Sequence, residues 1–548
     1  MSQAMGDLAV KNYNEHWLPH LNNAIPIESC KNKVSMYTIA LEGWRRGLTL
    51  TFYTELDEYH KSQYRYSLAS KDREHHFAGS KGDKITDEAF HICDDKALTY
   101  EWLSSAGVPV PKGKRFTEEI PEEEIVQYAK TTGFPLVLKP TNGSGGKGVI
   151  VNIQSVKTLK EAIFYVREEL RFKEIIVEQY ITGDEVRIFV LGDQLFSAVH
   201  RIPANVVGDG EHSLRTLIDM KNEERKNVPH LYDRPIKLDR QLYTTLRESG
   251  LTLDTVPKHG RRIFLKKTSN VSSGGDPVDV TDRLTPELRE MAVQACQAVP
   301  GLAHCGLDMM VDWENNKGFV IELNTRPGIG SFLFPMEGKA EDIPKALIDD
   351  YFPETKEVQI SQSNAYFDFK TIIDTLQNGA VAEVEVAPAP TGNLFAQKLI
   401  ISGVIQDRNY HQWLRKQALQ NNLSGYIKTL GSRDMEVLIA GTNKQDLETY
   451  KQVFTQRKDR HEDLQMQEEP WEAPIKIGFD IDSPQVEAAG LNQLEAQWQS
   501  LQEQMQAIQK EKSRLERQNI MIEQSSSWRI TRPLRKTGNM MKKVFSIK

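Results

Sequence analysis

The sequence predicts an α/β protein followed by a small α+β domain and a C-terminal coiled-coil helix. Three observations carry this. Up to about residue 352 short apolar, strand-like runs alternate with helix-like ones; from Phe395 a new and shorter strand and helix pattern begins; from Leu491 the apolar residues fall on a heptad. The 548 residues allow roughly three or four domains. The boundaries read as an α/β lead-in over 1–93, a main domain over 94–352, a linker over 353–392, a second domain over 393–484, a coiled coil over 485–526 and a basic amphipathic tail over 527–548.

Composition bounds the partners. With 39% hydrophobic and 26% charged residues the chain is ordinary for a globular protein, and its net charge of −7 argues against nucleic acid as the main partner. Cys30, Cys93, Cys296 and Cys305 lie in no CxxC or HxxxC metal pattern, and MSQAMGDLAVKNYNEH lacks a signal peptide's apolar stretch. Buried reduced thiols in a cytoplasmic protein are expected. No run approaches the ~18 apolar residues that a membrane span needs.

In the lead-in, MYTIALEGWRRG reads as an amphipathic helix ending at Gly47 and LTLTFYTE as a strand. A helix begins near Asp94 and Asp95, carries Lys96, Leu98, Tyr100 and Leu103, and stops at Gly107 ahead of Pro109 and Pro111. Lys96 at its start opposes the helix macrodipole unless an anion sits nearby; by itself it also reads as an exposed lysine. Next, the apolar run Leu136, Val137, Leu138 ends in Lys139 and passes into the loop of Gly143, Ser144, Gly145, Gly146, Lys147 and Gly148. Glycines there leave backbone N–H groups free to approach an anion, so the stretch reads as a phosphate cradle, with an ordinary flexible turn as the alternative.

EIIVEQYITGDEVRIFVLGDQLFSAVHR reads as three strands turned at Gly183 and Gly192, with Glu178, Glu185 and Arg187 set as polar residues in apolar runs; a solvated face is the other reading. RIPANVVGDGEHSLRTLI supplies a turn and a helix behind Arg201, and RRIFLKKTSNVSSGG a strand, cations and a Ser/Gly loop. Thr285, Pro286 and Glu287 make a helix start. In CGLDMMVDWENNKGFVIELNTRPG two strands joined by ENNKG bring Asp308 near Glu322 and Asn324, the last two on one face. Three hard oxygen ligands suit Mg²⁺, and carboxylates between apolar neighbours are costly without a partner.

These segments resemble the ATP-grasp ligases. Residues 94 to about 352 are most similar to the ATP-grasp domain of cyanophycin synthetase and the bifunctional glutathione synthetases, through DKALTYEWLSSAGVPVP, KPTNGSGGKGV, VEQYITGDEVR, RIPANVVGDGEHSLRTLI, LKKTSNVSSGG and IELNTRPG in one order. The resemblance implies that Lys96 and Lys139 hold the phosphates of ATP and that Ser144, Gly145, Gly146, Lys147 and Gly148 close over them as a lid. It implies that Glu178, Gln179, Tyr180 and Ile181 line the adenine pocket through backbone groups and that Glu185 accepts from the ribose. Asp308, Glu322 and Asn324 would hold one or two Mg²⁺ or Mn²⁺ ions. Arg187, Arg201, Lys266, Asn270 and Arg326 would face the γ-phosphate or a substrate carboxylate. The implied reaction joins a carboxylate to an amine through an acyl phosphate, with no protein nucleophile.

From Phe395 to Asp482 the chain resembles acylphosphatase, a ferredoxin-like βαββαβ fold, with KIGFDID near 476–482 as its last strand. Here His411 takes the position of that family's phosphate-binding arginine, Thr429 that of its asparagine, and Asp407 puts negative charge in the anion cradle. An inactive binding or packing module is expected. Leu491, Leu494, Trp498, Leu501, Met505, Ile508, Leu515 and Ile522 follow the heptad, with Lys512 and Asn519 at two a sites, so a parallel homodimer is expected; a single amphipathic helix is the alternative. The tail has seven Lys or Arg and no Asp or Glu from Trp528 to Lys548 and is suited to an anionic membrane surface, or is a disordered basic end. It is similar to tails on bacterial glycosyltransferases of surface polysaccharide assembly, which implies amino acid addition to a cell-surface, teichuronopeptide-like polymer at the inner face of the membrane. The alternatives are a soluble glutathione- or cyanophycin-type peptide ligase and a non-catalytic nucleotide-binding scaffold.

Overall fold

The structure is a computed structural model that describes residues 16–482 apart from 57–60, 143–146, 359–363, 405–407, 431–432 and 457–460. The expected coiled coil and tail lie outside these residues, as do Ser144, Gly145 and Gly146. No helix among the described residues is long and apolar enough to cross a membrane. All four cysteines are free and buried.

The helix Val34–Arg45 buries every residue but Ser35. It lies on an antiparallel sheet in the order Glu383–Glu385, Thr49–Leu56, Ser62–Ala69, Glu74–Ala78, Lys81–Gly82. A Cβ at Gly43 would stand 2.5 Å from Leu68 Cδ1, so glycine lets helix and sheet meet closely. Only Thr49–Leu56 of these strands is legible from apolar alternation.

The edge strand corrects the expected linker. Residues 365–389 belong to the first domain: Thr51 pairs with Glu385 and Tyr53 with Glu383. Trp44 Nε1 donates to Ala387 O at 2.7 Å, and Arg45 Nε to Ala365 O at 2.9 Å. The helix Phe369–Gln377 turns Phe369, Ile372, Ile373 and Leu376 into the same core as Tyr37 and Trp44. That spacing of three and four is a helical stripe, hidden between PETKEVQ and the Pro-rich APAPTG.

The main domain has two sheets. The smaller runs Gly113–Phe116, Ile175–Gln179, Leu136–Pro140, Ile150–Ile153, covered by the helices Glu122–Thr132 and Val156–Phe164. The larger runs Asp276–Asp279, Gln194–Ile202, Asp184–Leu191, His304–Asp312, Lys317–Asn324, with the helix Pro286–Gln297 on one face. The chain passes from one sheet to the other through residues 180–183. A Cβ at Gly183 would lie 2.7 Å from Val311 O, and its φ is +149°, so the crossing is a glycine position. Residues 204–265 pack a separate small core around Leu214, Ile218, Leu242 and Leu246.

The last domain is ferredoxin-like. Phe395–Val404, Arg408–Gln420, Ser424–Thr429, Asp434–Gly441, Lys444–Gln456 and His461–Pro470 give the βαββαβ order, and Phe479–Asp482 adds a fifth strand parallel to Ser424–Thr429. KIGFDID is thus the last strand of the sheet, while the fourth, HEDLQMQEEP, is too polar to be read from sequence.

Phe369 is fully buried, far from any linker environment. Phe369→Ala is expected to destabilise the first domain by about 3–5 kcal/mol, read as a shift of its urea midpoint; a linker residue would change it by no more than about 0.5 kcal/mol.

Candidate nucleotide and metal site

The site lies where the two sheets of the main domain meet. On the smaller sheet the strand Leu136–Pro140 is buried throughout, and Val137 pairs with Glu178. Lys139 Nζ lies 2.7 Å from Glu178 Oε1 and donates to the Tyr100 hydroxyl at 2.6 Å. Tyr100 in turn donates to Ile321 O of the larger sheet at 3.1 Å. Burial holds the Lys139 ammonium below its ordinary pKa, against the opposing charge of Glu178. An ion pair this deep is weak evidence for stability, because apolar residues of the same volume would serve packing as well.

Glu178 was expected to act through its backbone. Its side chain is buried instead, and Oε2 has no hydrogen-bond partner. Gln179 and Tyr180 are fixed by backbone bonds, Gln179 N to Lys112 O at 2.8 Å and Tyr180 N to Pro135 O at 3.2 Å. Ile181 is half-buried beside them at the crossing. Lys147 Nζ stands 5.8 Å from the centre of the Phe172 ring, and Gly148 has φ +77°.

On the larger sheet the register places Arg187, Asp308 and Glu322 in one row across three strands. Arg187 donates to both Asp308 oxygens at 2.7 Å, and Arg201 Nη1 reaches Glu185 at 2.6 Å and Asp308 at 3.3 Å. Lys96 Nζ closes the row on Glu322 Oε1 at 3.1 Å. The cation that opposes its own helix dipole therefore has its anion. Burial raises the Asp308 pKa, but Arg187 and Arg201 outweigh it and hold the carboxyl at about 2. Burial and the neighbouring Asp308 push Glu185 up against the pull of Arg201.

Asp308 and Glu322 are Cα partners on adjacent strands, and Asn324 follows on the same face. The Asn324 Nδ2 is buried without a partner, and amide O and N exchange on a flip of the side chain. Two carboxylates and an amide oxygen fit Mg²⁺, which takes hard oxygens and completes its shell with water and phosphate. Among the described residues no group of three or more His, Cys, Asp or Glu offers another metal site.

Two further expected residues are engaged by near neighbours. Lys266 Nζ is held by Asp239 Oδ2 at 2.6 Å, and Asn270 Oδ1 accepts from Ser272 N and Oγ. Arg326 stands 5.5 Å from the centre of the Phe90 ring, and Lys81 Nζ 4.7 Å from the same ring. Burial and then the Arg326 and Arg65 charges lower the Lys81 pKa, with Asp87 opposing; burial and Arg65 lower that of Arg326. Sequence reasoning missed Tyr100 as a site residue, together with Arg65, Lys81 and Phe90. Only the fold brings the last three beside the closing strand.

Residues 93–228 match the model of the ATP-grasp domain family, and residues 397–481 match that of acylphosphatase. Cyanophycin synthetase of Crocosphaera subtropica is 33% identical over 275 residues, covering 48% of this chain and 31% of the relative. The glutathione biosynthesis bifunctional protein GshAB of Mannheimia succiniciproducens is 30% identical over 338 residues, covering 59% and 43%. The crystal structure of a bifunctional glutathione synthetase from Pasteurella multocida aligns with 30% identity and a TM-score of 0.42 over 55% of this chain and 41% of that one. The chain spans less than half the length of these relatives. It carries an ATP-grasp domain, of the type found in cyanophycin and glutathione synthetases, followed by an acylphosphatase-type domain.

The depressed pKa of Asp308 adds stability that is present above its unfolded value of ~3.9 and is lost as pH falls through about 2. Asp308→Asn leaves Arg187 buried with half its partner. The variant is expected to be about 3–5 kcal/mol less stable at neutral pH, and the gap to the parent should close between pH 4 and pH 2 in urea titrations.

Proposed function

We propose that the protein is an ATP-dependent carboxylate–amine ligase that forms an amide or peptide bond through an acyl phosphate. The observation that carries this is the meeting of Lys139, Lys96, Asp308, Glu322 and Asn324 at one sheet junction within a chain bearing an ATP-grasp domain. The buried charges Lys139 and Asp308 favour this over a non-catalytic scaffold.

Lys96 and Lys139 turn from Glu322 and Glu178 to the phosphates of ATP. The free Glu178 Oε2 accepts from the adenine amino group, with the 179–181 backbone beside it, and Glu185 accepts from the ribose. The 144–148 segment keeps its reading as the cover over the phosphates. Asp308, Glu322 and Asn324 would hold Mg²⁺ or Mn²⁺, which supplies neutralisation of the transferring phosphoryl charge. A substrate carboxylate oxygen attacks the γ-phosphorus, the bond to the bridging oxygen breaks and ADP leaves. The amine then attacks the acyl carbon, phosphate departs, and the surplus amine proton passes to solvent. Arg187 and Arg201, locked on Asp308 and Glu185, keep the acids oriented while charge moves.

Arg326 and Lys81 flank the Phe90 ring with Arg65 close by, and although Glu55 and Asp87 pair with Arg65 and Lys81, this cluster of cations suits an anionic acceptor. We read this, with the basic tail, as support for amino acid addition to a peptide or acidic cell-surface polymer of the teichuronopeptide kind, by a cytoplasmic homodimer held at the inner membrane face. The ferredoxin-like domain is read as a binding or packing module, since His411 and Thr429 replace the residues of a hydrolase.

The test is ADP formation against amino acids, polyglutamate and uronic-acid polymers, with the product mass measured. No ADP with any carboxylate and amine pair rejects the ligase reading. Glu322→Gln should lower turnover at least about 100-fold in a chain that remains folded, and full activity would reject the metal assignment. Lys81→Ala should raise KM for the carboxylate polymer about tenfold, leaving KM for ATP within twofold.

A further inference from the structure

A cavity of about 610 Å³ lies at the junction of the first domain and the ferredoxin-like sheet, within the usual range for small-molecule sites. Helices cover one face of that sheet, around Leu414, Tyr450 and Phe454. On the other, Tyr426 and Leu438 pack with Trp471 and Ile475. The strand Ile475–Lys476 pairs with Ala365–Tyr366, so Tyr366 of the first domain and Trp471 share one wall.

The charges that line the cavity divide into a satisfied pair and an unsatisfied set. Lys476 Nζ lies 2.5 Å from Asp480, which neutralises both. Arg415, Lys428 and Asp482 have no hydrogen-bond or ion-pair partner among the described residues. Lys428 and Asp482 are register partners on adjacent parallel strands, yet they hold no bond to each other. The Trp471 indole Nε1 is buried and donates to nothing. The wall thus offers two cations and an N–H donor for anionic oxygens, one carboxylate for a cation, and the Tyr426 and Tyr366 rings for an apolar stem. His411 and Thr429, the positions of the lost phosphate cradle, do not line it.

We propose that this cavity binds a free amino acid bearing a second carboxylate, with its two carboxylates on Arg415, Lys428 and the Trp471 N–H and its ammonium on Asp482. Phosphate alone would leave Asp482 as a repelling charge, and an apolar ligand would bury three unanswered ions. Because the walls come from two domains, occupancy holds the ferredoxin-like module on the first domain. The acylphosphatase-type fold is then an amino acid sensor whose hydrolytic residues are dispensable.

The test is calorimetry on the full chain without ATP, using L-glutamate, glutarate and inorganic phosphate as probes. L-Glutamate should bind at least tenfold tighter than glutarate or phosphate. Arg415→Ala, Lys428→Ala and the shape-preserving Trp471→Phe should each weaken it, the first two by tenfold or more, and Asp482→Asn should erase the preference for glutamate over glutarate. No heat with glutamate overturns the proposal. So does equal binding of all three probes, or glutamate binding that none of the four substitutions changes, since it would then belong to the ligase site. The proposal stands apart from the ligase reading: glutamate bound here by a chain that forms no ADP leaves the cavity assigned and rejects only the activity.

Discussion

A carboxylate placed inside a sheet must be answered by positive charge, and Asp308 is the group on which the arrangement turns. It is buried, it faces Arg187 across one strand boundary and Glu322 across the other, and Arg201 reaches it from a third strand. Each member of the row would be costly without the next. The larger sheet is therefore held in register by its charges as well as by its apolar ladder. One residue out of register would move Glu322 to the opposite face and part it from Lys96.

The smaller sheet repeats the logic with one pair. Lys139 and Glu178 neutralise each other, Tyr100 ties them to the larger sheet, and the spare oxygen of Glu178 remains. Internal carboxylates offset the burial of the two lysines, and in the proposed ligase they would be exchanged for the phosphates of ATP on binding. Glu178 Oε2 and Asn324 Nδ2 are buried polar atoms without protein partners on either side of the junction.

What the sequence made legible was local. The Lys139 strand, the glycine turn after it, the helix from Lys96 and the Asp308 to Asn324 hairpin each carry their pattern within about twenty residues. Partnerships were not legible. Arg187 was read as a phosphate or substrate ligand, and its lock on Asp308 depends on a register between strands 121 residues apart. The contacts of Lys266 with Asp239 and of Asn270 with Ser272 are likewise invisible in the pattern LKKTSNVSSGG. Arg65 and Lys81 sit in a polar, weakly alternating stretch and acquire meaning only when the antiparallel sheet sets them near Arg326. The segment 365–389 reads as a linker because its flank is Pro-rich, although the helix Phe369–Gln377 within it is amphipathic.

The pairing of Glu383–Glu385 with Thr49–Leu56 makes the first domain discontinuous along the chain, with the main domain spliced between its parts. During synthesis the apolar face of Val34–Arg45 must wait for some 330 further residues before Phe367, Phe369 and Ile372 arrive to cover it. Over that interval the strand Thr49–Leu56 is a bare edge, open to any other strand nearby. Phe189, Leu191 and Val199 of the larger sheet share that core, so the main domain too has one face left uncovered until the last pieces of the first domain are made.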